Sequence, residues 1–94
     1  LRHWGDADYD GLRIALLIGQ AGNGAHLYRT TPCWVAETDA RLGNRLSDED
    51  RAALRSLQMD LCLRWCPEVA EVAGAVLANE VWFEQEVFYA SDFD

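Results

Sequence analysis

Between residues 5 and 11 the chain reads Gly5-Asp6-Ala7-Asp8-Tyr9-Asp10-Gly11, with a carboxylate at every second position and a glycine at each end. No other stretch constrains the fold as strongly. Leu1-Arg2-His3-Trp4-Gly5 reads as the end of a strand, and an apolar run of helix formers follows from Leu12 to Gln20. Successive side chains of an extended segment point to opposite sides, so Asp6 and Asp8 leave the strand facing the same way. Gly5 and Gly11 allow tight turns on either side. In the run that follows, Leu12, Ala15, Leu16 and Gly19 mark one helical stripe. Ile14, Leu17 and Ile18 widen it, which predicts a helix buried over most of its surface.

The rest of the chain is read from its punctuation. Ala21-Gly22-Asn23-Gly24 has the chemistry of a helix C-terminus, and Ala25 to Thr30 reads as a short strand. Thr31 to Leu46, opened by Pro32, reads as turn and irregular structure. Ser47-Asp48-Glu49-Asp50 is a helix start, since the Ser hydroxyl can accept first-turn amides and carboxylates are favoured at the positive helix end. Leu54, Leu57, Leu61 and Trp65 continue as the core stripe of that helix, with Asp60 and Arg64 spaced to pair. Pro67 ends it and opens another, whose apolar face is Val69, Val72, Ala73 and Val76. Val81 to Tyr89 is compatible with helix or strand. The order is strand, acidic turn, helix, strand, loop, then helices: part of an α/β unit, in which ligands gather at the carboxyl ends of the strands.

Ninety-four residues make one small domain at most, and a chain that begins with Leu reads as a piece of a longer protein. The longest apolar run, Ile14 to Ile18, is far shorter than a membrane span. Sixteen carboxylates face eight arginines and no lysine, for a net charge of −8. A self-sufficient nucleic-acid binder shows the opposite balance, so any DNA contact belongs to other segments. Cys33, Cys62 and Cys66 are an odd set, which favours a reducing cytoplasm over a disulfide scaffold. With His26 they lack the paired knuckles of common zinc sites and read as buried apolar thiols.

The acidic turn carries the chemistry. Hard divalent ions take oxygen ligands, and Mg²⁺ often binds through one or two carboxylates while keeping its waters. The competing reading is a solvated acidic turn before a helix. An EF-hand loop is excluded, because its twelfth position falls on Leu17, where a bidentate Glu is required. A phosphatase-like Asp-x-Asp-x-Thr strand is disfavoured, because Asp10 stands in the place of the Thr.

Three stretches, Trp4 to Ile14, Leu46 to Leu54 and Phe83-Glu84-Gln85-Glu86, together resemble the Toprim fold. They resemble above all the C-terminal Toprim-like domain of the JetD nuclease subunits of Wadjet plasmid-defence systems, and also the topoisomerase VI A subunit. Trp4-Gly5-Asp6-Ala7-Asp8-Tyr9-Asp10-Gly11 matches that family's Trp-Gly-Asp-x-Asp-x-x-Gly pattern, although Asp10 replaces a common His. The resemblance implies that residues 1–94 are the C-terminal portion of a Toprim-like domain, a metal-dependent DNA endonuclease module. Asp6 and Asp8 would be its catalytic residues, and Asp6, Asp8 and Asp10 would hold Mg²⁺ or Mn²⁺. It also implies condensin-like partner subunits, DNA held by other regions and a possible homodimer. The Glu that such sites take from an earlier strand is missing here. The module is therefore expected to be incomplete alone, and a small acidic interaction module without catalysis is the alternative. Tyr9 is expected to pack rather than to act as a nucleophile. His3 as a proton shuttle, Arg13 on phosphate, and Glu84 and Glu86 near the site are further candidates.

Overall fold

A computed structural model describes residues 2, 3, 5–27, 31–85 and 87, with residues 2 and 3 by backbone only. Strand β1 (Arg2–His3) leads through the acidic turn into helix α1 (Tyr9–Ala21) and then strand β2 (His26–Leu27). The two strands pair in parallel, Arg2 opposite His26 and His3 opposite Leu27. Parallel neighbours need a crossover between them, and α1 is that crossover. The expected order of strand, acidic turn, helix and strand is thus present. Trp4, and residues 28–30 of the strand expected over Ala25 to Thr30, lie outside the described residues.

Helix α1 begins three residues earlier than its apolar pattern, because Asp8 caps it. Asp8 is extended (φ −137°, ψ 177°) and its carboxylate accepts the Gly11 N–H at 2.7 Å. At the other end the Gly22 N–H donates to the Ile18 carbonyl at 2.9 Å. Asn23 (φ 66°), one of the few residue types that tolerate the left-handed region, turns the chain back toward β2. Leu12, Ala15, Leu16 and Gly19 are buried, as their spacing predicts. Ile14 and Leu17 are not: they remain 47% and 51% exposed. The described elements cover α1 on one side only, and the wider stripe faces outward.

The stretch from Thr31 to Leu46 is more ordered than its composition suggests. Helix α2 (Pro32–Glu37) starts at Thr31, whose hydroxyl accepts the Trp34 N–H at 3.4 Å, and a 3-10 turn (Ala40–Leu42) and strand β3 (Asn44–Arg45) follow. Six residues are too few to show a helical period and too few for a stable isolated helix. Val35, fully buried where α2 meets α4, supplies the missing stabilisation.

Helix α3 (Asp48–Leu57) opens with a reciprocal cap: the Ser47 hydroxyl accepts the Asp50 N–H at 3.0 Å, and the Asp50 carboxylate accepts the Ser47 N–H at 2.9 Å. Leu54 and Leu57 are buried, but the stripe stops there. Asp60 accepts the Cys62 N–H at 2.7 Å and starts a 3-10 segment (Leu61–Trp65) that leaves Leu61 93% exposed. Asp60 pairs with Arg13 at 2.9 Å rather than with Arg64, whose guanidinium lies 4.7 Å from the centre of the Trp65 ring. Because the segment is not α-helical, Cys62 and Cys66 do not share a helix face. Cys66 is buried, and desolvation pushes its thiol up to about 11. Cys33 is exposed and Cys62 half-buried, so only Cys66 fits the expected buried thiol.

Helix α4 (Glu68–Asn79) follows Pro67, and its apolar face is the expected one. Val69, Val72, Ala73 and Val76 are fully buried, packed among α1, α2 and α3. Each such valine is worth roughly 1.5–3 kcal/mol. Glu80, left-handed at φ 63°, ends the helix and delivers strand β4 (Val81–Trp82) against β3, with Asn44 opposite Trp82 and Arg45 opposite Val81. That settles the ambiguous start of the final segment as strand. The fold is mixed α/β and mostly helical. Among the described residues no helix is long and apolar enough to cross a membrane.

Candidate functional site

The acidic turn is held by the far end of the chain. Ala7, fully buried, forms an antiparallel bridge with Phe83, also fully buried: the Ala7 N–H donates to the Phe83 carbonyl at 2.7 Å, and the Phe83 N–H returns to Ala7 at 3.4 Å. With Ala7 pointing into the core, the alternation of extended backbone turns Asp6 and Asp8 the other way. The Gln85 N–H then donates to Asp6 Oδ1 at 2.8 Å, across 79 residues of sequence. Gly11 completes the clamp, since a side chain there would overlap the Asp6 carbonyl.

Asp8 and Asp10 open onto a cleft of about 430 Å³, lined also by Tyr9, Glu49, Asp50, Ala53 and Trp82. The N-termini of α1 and α3 both meet it, so their positive ends lie beneath its carboxylates. The Asp8 carboxyl is held above the usual carboxylate range, first by desolvation and then by Asp6, Asp10 and Asp50, against the lowering effect of the Gly11 N–H. Tyr9 is half-buried against the core, as expected. Asp6 is close enough to raise Asp8 but is not among the residues lining the cleft. Asp8 and Asp10 are thus brought together, while Asp6 is turned toward Gln85.

Among the described residues no arginine pairs with Asp6, Asp8 or Asp10, and no three His, Cys, Asp or Glu side chains are arranged to chelate one ion. The donor set fits a hard divalent cation that keeps most of its waters: oxygens only, with mutual repulsion at Asp8 that a cation would relieve. It does not fit a closed cage. Arg13 is engaged with Asp60 and Glu84 is exposed. The side chain of His3, and Glu86, lie outside the described residues. Sequence reasoning missed Glu49, Asp50 and Trp82 as walls of the cleft. The first two were legible only as helix-starting residues, and nothing in the spacing of Trp82 points to Asp8. Compared with known protein families, with curated proteins and with solved structures, the chain matches none.

Proposed function

We propose that this chain is the cation-binding part of a metal-dependent DNA endonuclease of the Toprim-like, JetD kind, acting in the cytoplasm on foreign circular DNA beside condensin-like subunits. One observation carries the reading. The three stretches behind the resemblance, widely separated in sequence, converge on one place: Asp6 meets Gln85, Ala7 meets Phe83, and Glu49 and Asp50 share the cleft of Asp8 and Asp10. Asp8 and Asp10 would hold Mg²⁺ or Mn²⁺, with Asp6 at the edge of the site. The bound ion would polarise a phosphodiester or lower the pKa of a water. Asp6 positions the turn through Gln85, and the N–H of Gly11 fixes one oxygen of Asp8. With net charge −8, DNA is held by other regions of the longer protein. The missing acidic residue also comes from there.

The test is a Mg²⁺ or Mn²⁺ titration followed by amide NMR. Shifts are expected at residues 6–11 and 49–50, and they should vanish in the double substitution Asp6→Asn, Asp8→Asn. The longer protein carrying the same double substitution should lose plasmid cleavage. Unchanged ion binding in the double variant would remove the assigned site. The engagement of Asp6 and Asp8 by backbone N–H groups favours a second reading, an acidic module in which these carboxylates only hold the turn. That reading expects no shifts from either ion.

A further inference from the structure

Residues 81–85 meet the acidic turn in two ways at once. Val81 and Phe83 are buried in the core. The alternation of extended backbone turns Trp82, between them, to the opposite side, where it lines the cleft with Asp8 and Asp10. The same short segment then closes on the turn. Ala7 and Phe83 exchange backbone hydrogen bonds at 2.7 and 3.4 Å, and the Gln85 N–H donates to Asp6 Oδ1 at 2.8 Å. One stretch is therefore both a wall of the cleft and the clamp on the turn that carries its carboxylates. The clamp works against charge. Asp8 lies within electrostatic reach of Asp6, Asp10 and Asp50, and like charges so placed push the turn apart.

We propose that residues 81–85 are a cation-responsive latch: an ion on Asp8 and Asp10 and the closure of Gln85 on Asp6 stabilise one another. The inference rests on the cation-binding reading of the cleft and adds its regulation. The sign follows from the contacts that each event makes. Asp6 does not line the cleft, and Oδ1 of its carboxylate already accepts the Gln85 N–H, so an ion held by Asp8 and Asp10 has no need to displace the latch. The charge of the ion offsets the repulsion that the closed turn gathers around Asp8. With the latch open, the extended backbone of residues 6–8 loses its antiparallel partner, and Asp8 is no longer fixed opposite Trp82. The open form therefore binds the ion more weakly, and the ion shifts the population toward the closed one. Linkage makes the two effects equal: the ion strengthens the latch by the factor by which the latch strengthens the ion. Asp6 is on this account a positioning residue, acting on the ion through the backbone and not as a ligand.

Hydrogen exchange of the full chain, with and without saturating Mg²⁺, is the test. Exchange at the Ala7 and Gln85 amides should slow by about five-fold or more, within the ordinary range of coupling between sites. Thr38, whose N–H closes α2 and has no part in the cleft, should exchange at an unchanged rate. In Mg²⁺ titrations, Asp6→Ala, which leaves the Gln85 N–H without its acceptor, should weaken the ion by a similar factor. Asp6→Asn loses the charge but keeps an acceptor oxygen, so it should lose clearly less. Faster exchange at Gln85 in Mg²⁺ overturns the proposal, because the ion would then compete for Asp6. So does unchanged exchange while residues 8, 10, 49 and 50 shift, and so does an equal loss of affinity in Asp6→Ala and Asp6→Asn. All three leave the cation site standing. No shift at those four residues removes the cation site and the latch together.

Discussion

The two helix starts that meet at the cleft are built in opposite ways. At α3 the acid is local. Ser47 and Asp50 bond each other's backbone within four residues, and Asp48 and Glu49 stand in water beside the positive helix end. At α1 the acid is held from a distance. Asp8 caps its own helix, but its neighbour Asp6 is bound by Gln85, Ala7 by Phe83, and Gly11 leaves no space beyond the Asp6 carbonyl. The first start is made by bonds within four residues. The second exists only when the two ends of the chain meet, and it keeps Asp8 half-buried among like charges.

Gly11→Ala should break the comparison most severely. Its Cβ meets backbone, which cannot swing aside, so a loss of about 3 kcal/mol or more is expected in denaturant unfolding. Asp6→Ala comes next. It leaves the Gln85 N–H without its acceptor, at a cost of about 1–3 kcal/mol, and hydrogen exchange at Gln85 should quicken while α3 stays protected. Ser47→Ala removes a local cap and should cost about 1 kcal/mol, with the exchange pattern reversed. If Asp6→Ala and Ser47→Ala speed exchange in the same amides, the two starts are not independent.

The smallest effect is on pH dependence. The Asp8 carboxyl of the folded protein titrates above its ordinary value of 3.8, so the folded state holds that proton more tightly than the unfolded chain. The associated stability is fully present below the unfolded value and is lost as pH rises through the folded one. Asp8→Asn, which keeps a capping oxygen, should flatten that fall. Asp48→Asn, at an exposed position, should leave it in place. Melting temperatures across the acid range check the pair.

Much of this was legible along the chain. The cap at Ser47, the apolar face of α4 and the buried stripe of α1 depend on spacing within one or two turns, and they stand where spacing puts them. The failures share one cause. Leu54 and Leu57 extend in sequence to Leu61 and Trp65 at the right interval, yet Asp60 caps a new segment at Cys62 and pairs with Arg13, so the period outlasts the helix. Ile14 and Leu17 look like core but stay about half exposed, because α1 is covered on its other side. Helix α2 is too short to show a period and forms because Val35 finds α4.

By itself the sequence determined the local elements and the acidic turn, because capping, helical periodicity and strand alternation act between residues a few positions apart. Only the tertiary structure decided that Asp8 shares a cleft with Asp50 and Trp82 while Asp6 turns to Gln85. Those contacts join residues some forty to eighty positions apart. Their partners are selected by which buried surfaces fit together, and a fit of that kind leaves no periodic trace along the chain.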